Sequence, residues 1–390
     1  MNQYHPGNQV QLLNSGAEYF PALERAFAAA RHEIRLETYI LADDETGRRI
    51  AASLKLAAAR GVAVRVAYDG FGSSAHLGGL GLDLQRAGVD VAVFRPDAGW
   101  NKFRRSRLRR LHRKLVTVDA RTAFVGGINI IDDLNMPLTQ EEIPEPRYDY
   151  AVQVEGPLLA PIHDAMCEFW ARLDQPRRIG VASGSTIAPC PPVSAVAGDH
   201  HAWFGFRDNV THRRDIEREY LAAILAAKEE IIIANAYFFP GRRFRRALMR
   251  ARRRGVRVRL LLQGRQEYML QYYATRALYG MLLDAGVEIY EYRPSFLHAK
   301  VAVVDGLWAT VGSSNIDPFS LLLAREANVF VRNAAFAVGL RDSLNLAIEQ
   351  RSIAVHAERW SARALPDRVL TWALYGVARG MMSLLGYGRH

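Results

Sequence analysis

Leu111–Ile130 reads LHRKLVTVDARTAFVGGINI, and Leu297–Ile316 reads LHAKVAVVDGLWATVGSSNI. Both carry His-x-Lys, four residues, Asp, six residues, Gly, and Asn three positions after that Gly. Chance does not write such a pattern twice at one spacing, so the chain contains an internal repeat, and a repeat decides architecture before any other feature. Moving outward, RHEIRLETYIL (31–41) matches KEEIIIANAYFF (228–239), ARGVAVRVAYDG matches RRGVRVRLLLQG, and AGVDVAVFRP matches AGVEIYEYRP. Tyr39 and Tyr237 are 198 positions apart, whereas His112 and His298 are 186 apart; the first copy therefore holds twelve extra residues just before its histidine, around NKFRRSRLRR.

Each copy runs in one order. An Ala-rich amphipathic helix leads into an apolar strand, a second helix ends at RGV before another strand, a third ends at AGV before another, and the His-x-Lys segment follows. Strands alternating with helices predict an α/β fold in which each half is a mixed sheet covered by helices. Pro, Gly, Ser and Ala without periodicity mark QPRRIGVASGSTIAPCPPVSAVAGDHH as a linker. The expected division is 1–173, a linker at 174–202, a second half at 203–362 and an amphipathic tail at 363–390.

With 51 Lys plus Arg against 40 Asp plus Glu, the formal charge is +11, which favours a polyanionic partner. Two cysteines, Cys167 and Cys190, make no disulfide framework and suggest a reducing compartment. No basic n-region followed by an apolar run opens the chain, and no apolar segment is long enough to span a bilayer, so membrane contact is expected to be peripheral.

HRKLVTVD and HAKVAVVD are β-branched and apolar, which predicts strands presenting His112 with Lys114, and His298 with Lys300, on one face. A satisfied core histidine would explain one copy but not two. Paired imidazoles and lysines suit phosphodiester exchange: one neutral His attacks phosphorus, the other protonates the departing alkoxide, and the lysines neutralise charge on the phosphoryl oxygens. Asp119 and Asp305, seven positions after each His, belong to the same catalytic motif, yet fall on the opposite face of a straight strand and read first as structural. Asn129 and Asn315 either donate to phosphate or form plain Gly-Asn turns. Asp149 in RYDYAV and Glu326 in AREANVF either fix the imidazole tautomers or are surface carboxylates. No metal-ligand cluster and no cofactor motif is evident, so none is expected.

These residues resemble the signature H-x-K-x4-D-x6-G-[SG]-x-N of the phospholipase D superfamily, over nearly the whole chain. LETYI, DYAVQVEGP, IIANAYFFPG and WATVGSSNIDPFSL are similar within it to bacterial cardiolipin synthases of the B type. The resemblance implies two pseudo-twofold-related halves with the active site at their interface. It makes His112 the nucleophile and His298 the acid and base, with Lys114, Lys300, Asn129, Asn315 and Ser313 on phosphate and Asp149 and Glu326 orienting the rings; Gly127 stands where the second copy has Ser313. It implies phosphatidyl transfer between two phosphatidylglycerol molecules through a phosphatidyl-histidine. It also implies a peripheral place on the cytoplasmic face of the bacterial inner membrane, an anionic phospholipid surface as partner, and no obligatory protein partner. A phosphodiesterase or nuclease of the same superfamily is the alternative, disfavoured by the lipid-synthase context; an inactive scaffold is disfavoured by two intact motifs.

Eight basic residues lie between Asn101 and Lys114 (Lys102, Arg104, Arg105, Arg107, Arg109, Arg110, Arg113 and Lys114), and ten arginines between Arg242 and Arg259. They are expected to attract anionic headgroups, part of the second group being a solvated helix face. The tail RVLTWALYGVARGMMSLLGYGRH reads as an interfacial helix, with a helix packed on the core as the alternative.

Overall fold

Each repeated motif folds as a tight hairpin, and this explains its aspartate. In the first half the strands are β1 (His5–Asn14), β2 (Glu33–Thr38), β3 (Ala63–Asp69), β4 (Asp90–Phe94), β5 (Arg110–Leu111), β6 (Lys114–Val118), β7 (Thr122–Gly126) and β8 (Tyr150–Glu155). The helices there are α1 (Ser15–Ala29), α2 (Glu45–Ala59), α3 (Leu80–Arg86) and α4 (Leu159–Leu173). The second half has β9 (His200–Arg207), β10 (Glu230–Asn235), β11 (Arg257–Gln263), β12 (Glu288–Tyr292), β13 (Lys300–Val304), β14 (Trp308–Gly312), β15 (Ala324–Arg332) and β16 (Ser352–Val355). Its helices are α5 (Asp215–Ala226), α6 (Arg242–Arg253), α7 (Met269–Arg276), α8 (Tyr279–Asp284), α9 (Ala334–Arg351), α10 (Ala357–Ser361) and α11 (Leu365–Met382). This computed structural model describes residues 3–74, 79–96, 109–135, 143–173, 190–193, 195–208, 211–317 and 324–382.

Between β6 and β7, Asp119 and Ala120 both have positive φ (50° and 46°), and between β13 and β14 so do Asp305 and Gly306 (52° and 62°). Two consecutive left-handed residues make the two-residue turn whose twist suits a hairpin, for which Asp-Gly is a favoured sequence. Arg121 N donates to Val118 O, and Leu307 N to Val304 O, closing the two turns. The Asp119 carboxylate accepts from the amides of Arg31, His32 and Glu33 at 2.8–2.9 Å. Asp305 does the same for Lys228, Glu229 and Glu230 at 2.9 Å. Each aspartate thus ties its hairpin to the entry of β2 or β10 and leaves the reacting groups to others.

The strands run β16-β12-β11-β10-β13-β14-β15-β9-β1-β8-β7-β6-β2-β3-β4. From the central β9–β1 pair outward, β15-β14-β13-β10-β11-β12 on one side matches β8-β7-β6-β2-β3-β4 on the other. β2-β3-β4 and β10-β11-β12 are each parallel, β6 and β13 pair antiparallel with β2 and β10, and β16 adds an antiparallel edge strand beside β12 in the second half. Small details repeat as well: Arg60 Nη2 donates to the Phe27 and Ala30 carbonyls after α1, and Arg254 Nη2 to those of Ile224 and Ala227 after α5. One core lies on the α1–α2 side of the first half, one on the α5–α6 side of the second, and a third spans the middle under α4 and α9.

Of the first basic group, Lys102, Arg104, Arg105 and Arg107 lie outside the described residues, while Arg113 and Lys114 are buried. Those two are therefore no part of a headgroup-facing surface, Arg113 pairing inside with Glu37, whereas Arg109 is exposed and Arg110 half-buried. In the second group Arg257 pairs with Glu288 and Arg259 with Glu230, whereas Arg242, Arg243, Arg246, Arg250 and Arg253 are exposed along α6. Helix α11 buries Thr371 and Ala378 and sets Tyr375 5.5 Å from Phe239, so one face packs on the body. Its other face leaves Leu365, Val369, Trp372 and Val377 exposed. Among the described residues no helix is long and apolar enough to cross a membrane.

Candidate active site

Each motif histidine is held by the opposite half. His112 N donates to Arg325 O at 3.0 Å, continuing the parallel pairing of β5 with Ala324 and Arg325 of β15. In the same way Tyr148 N donates to Phe296 O (3.0 Å) and His298 N to Tyr148 O (2.8 Å). The histidines consequently stand just ahead of β6 and β13, which begin at Lys114 and Lys300. A single strand carrying both His and Lys does not form, because the backbone leaves its own hairpin partner to bond across to the other half.

The side chains cross over too. His112 Nδ1 lies 3.0 and 3.1 Å from the two carboxylate oxygens of Glu326, and His298 Nδ1 lies 2.6 Å from Asp149 Oδ2. With Nδ1 committed to a carboxylate, Nε2 is the nitrogen left for chemistry. The two carboxylates are not equivalent. Burial pushes Asp149 up to about 6, against the pull of Lys300. For Glu326 burial acts in the same sense, but His112, Arg207 and Lys114 outweigh it and hold the carboxyl below its usual range.

Lys114 Nζ donates to His112 O at 2.7 Å. Lys300 Nζ lies 2.7 Å from His298 Nδ1 and 3.7 Å from Asp149, and also bonds His298 O. Burial lowers the ammonium groups, Lys114 to about 7 and Lys300 to about 8, despite nearby carboxylates. Burial likewise lowers both imidazoles, His298 well below its ordinary value because Lys300, Lys114 and Arg147 add to the effect. The protein's own groups therefore leave the site short of negative charge. An entering phosphodiester anion would answer the lysines and restore the imidazole's affinity for a proton.

Ser313 does not point to phosphate: its Oγ donates to Glu326 and accepts from Ala327 N at 3.0 Å. At Gly127 a Cβ would stand 2.4 Å from Asp149 Oδ1, so the shorter carboxylate in that half leaves no room for a serine. Asn129 Oδ1 accepts from Ile40 N at 3.3 Å, and both Asn129 and its counterpart Asn315 in the second motif are buried. Among the described residues no group of three or more His, Cys, Asp and Glu could hold a metal ion.

Two further positions escaped the sequence reading. Asp69 Oδ2 accepts from Leu111 N at 2.8 Å, and Gln263 Oε1 accepts from Leu297 N at 3.3 Å, so each holds the residue before a histidine. Their signal was a polar residue before the aligned glycines of AYDG and LLQG. Tyr39 adds a ring 4.8 Å from that of His112 and 5.4 Å from Lys114 Nζ.

Two imidazole–carboxylate–lysine sets built across a pseudo-twofold define a phospholipase D-type centre. The chain belongs to the cardiolipin synthase, PLD-like domain family, whose model matches residues 23–142 and 220–346. It is 42% identical over 341 residues to cardiolipin synthase B of Salmonella typhi, covering 87% of this chain and 80% of that protein. To cardiolipin synthase B of Escherichia coli strain K12 it is 40% identical over 369 residues, covering 95% and 86%. Among solved structures, phosphatidylserine synthase of Haemophilus influenzae Rd KW20 shares the fold, with a TM-score of 0.69 at 14% identity over 99% of this chain and 97% of that one.

Proposed function

We propose that this protein is a phosphatidyltransferase that makes cardiolipin and glycerol from two phosphatidylglycerol molecules. The observation that carries the reading is the pair of histidines, His298 buried and His112 half-buried, each with Nδ1 on a carboxylate of the opposite half. The 40–42% identity to cardiolipin synthases B supports the choice of lipid. In the first step His112 Nε2 attacks phosphorus of the donor, the phosphorus–oxygen bond to glycerol breaks, and His298 gives that oxygen its proton. In the second step His298 takes the proton of a primary hydroxyl on the acceptor. That oxygen bonds to phosphorus, the phosphorus–nitrogen bond breaks, and both imidazoles return to their starting state. Lys114 and Lys300 carry the phosphoryl oxygens through both steps, worth more in a site that excludes water. Asn129 and Asn315 complete the cradle. The protein works peripherally on an anionic bilayer at the cytoplasmic face of the inner membrane, with the exposed apolar face of α11 and the arginines of α6 suited to that surface.

The test supplies purified protein separately with phosphatidylglycerol vesicles and with plasmid DNA, with and without EDTA. Cardiolipin and free glycerol in equal amounts, unchanged by the chelator, and intact DNA are expected. Nicked plasmid with unaltered lipid would make the protein a nuclease instead.

A further inference from the structure

The two halves differ in how the buried arginine beside each carboxylate is partnered. Arg147 stands two residues ahead of Asp149, and the position two ahead of Glu326 is Ala324. Only 5% of Arg147 is exposed. Its backbone is fixed from three directions: Arg147 N donates to Asp133 O (3.0 Å), Ser295 Oγ to Pro146 O (2.6 Å), and Tyr148 N to Phe296 O (3.0 Å). Nη2 donates to Asn135 O, but Nε is buried and has no hydrogen-bond partner among the described residues.

A guanidinium donor without an acceptor is costly inside a protein, and Ala324 shows that the fold accepts a small residue at the related position. The next residue, Tyr148, bonds through its backbone to Phe296 and His298, which places Arg147 on the His298 side of the centre, and its charge is felt at His298, Tyr237 and Tyr268. That wall also contains Glu267, which accepts from Tyr237 Oη at 2.6 Å, and Tyr268, whose ring lies 5.9 Å from that of Tyr237. Exchange at a single phosphorus needs one anion site, which the lysines provide. Arg207, the buried arginine beside Glu326 on the other side, gives its Nε to Ala324 O at 3.2 Å, whereas the Nε donor of Arg147 has no acceptor among the described residues, and that donor calls for a second anion.

We propose that Arg147 is the centre of a second anion subsite, which binds the phosphodiester of the lipid accepting the phosphatidyl group. This rests on the phosphatidyl-transfer reading above. Three carbons separate the acceptor's phosphate from its free primary hydroxyl, so the hydroxyl can reach His298 Nε2 while the phosphate lies beside the lysines and meets the guanidinium. The subsite selects an acceptor that carries a phosphate over water or a neutral alcohol, since only the former satisfies the buried donor.

Two measurements test this. In calorimetric titration with glycerophosphoglycerol, the water-soluble diester headgroup, the wild type should bind two equivalents and Arg147→Gln one; equal stoichiometry in both overturns the subsite. In vesicles of phosphatidylglycerol with added 1-butanol, the ratio of cardiolipin to phosphatidylbutanol should fall at least tenfold in Arg147→Gln and recover in part in Arg147→Lys. An unchanged ratio, with both products falling together, would assign Arg147 to the common step or to the fold and end the proposal. A wild-type protein that makes phosphatidylbutanol but no cardiolipin refutes the reading of the function, and the titration then judges the subsite by itself.

Discussion

The face of β2 that lies under α4 and the face of β10 that lies under α9 occupy the same place in the two halves and are made of opposite materials. Asp119 N bonds Glu33 O and Asp305 N bonds Glu230 O, so Arg35 corresponds to Ile232 and Glu37 to Ala234. In the first half this layer is charged. Arg35 pairs with Glu33 at 3.1 Å, His163 of α4 meets Glu33 at 2.6 Å, and Arg113 forks onto Glu37 while donating to Ala165 O at 3.1 Å and lying 5.1 Å from the ring of Phe169. In the second half Ile232, Ala234 and Ala299 pack against Phe336, Leu340 and Leu344 of α9. Where His-Arg-Lys in one motif becomes His-Ala-Lys in the other, the glutamate opposite the arginine becomes alanine as well. The layer beneath the site can be ionic or oily, provided it is complete.

The comparison breaks first at the histidines. Despite their different surroundings, His112→Ala and His298→Ala should each lower cardiolipin formation by about 10³-fold or more, because the halves supply one reaction between them. In His298→Ala, mass spectrometry should find a phosphatidyl adduct on His112. An adduct on His298 in the His112→Ala protein, with none in the converse variant, would exchange the two roles.

The carboxylates come next. Asp149, near 6, loses its charge as pH falls through that value and with it the hold on His298, whereas the ammonium groups lose theirs as pH rises through about 7 to 8. The profile of kcat/KM should therefore be bell-shaped, with an acid limb near 6 and a basic limb between 7 and 8. Asp149→Asn should abolish the acid limb and cost about 10²–10⁴-fold in rate; Glu326→Gln should cost as much while leaving that limb in place. Glu326 is the carboxylate held below its usual range, so a loss of the limb on its replacement would reverse this distinction.

The buried pair gives the smallest effect. Arg113→Ala or Glu37→Ala alone should destabilise the protein by about 3–5 kcal/mol, since each strands a buried charge, and the double variant should lose clearly less than the sum. Urea unfolding of the three proteins measures this. Additive losses would mean that the fork contributes nothing as a pair.

The twofold repeat and the mixed sheets were legible, since spacing survives translation into structure; a carboxylate for each imidazole was one of two readings, and its crossing to the opposite half was not written in the spacing. What stayed hidden was what spacing does not encode. Asp119 shares a motif with His112 but read first as structural; what stayed hidden is that its interval is set by hairpin length, since the turn must begin where β6 ends. Ser313 looked like a phosphate ligand, but its use depends on Glu326 being one methylene longer than Asp149. Arg113, counted among surface charges, is buried because its partner Glu37 lies 76 positions away, a relation no local pattern displays.

His112 and Glu326 are 214 positions apart in the chain, and β1 lies between β8 and β9 in the sheet. During synthesis the first histidine leaves the ribosome long before its carboxylate exists, and the first strand waits for both neighbours. Contacts of such long range make folding slow, and they make the onset of catalysis abrupt. A nascent chain anywhere short of Glu326 lacks the carboxylate that holds His112, so the site is either finished or absent.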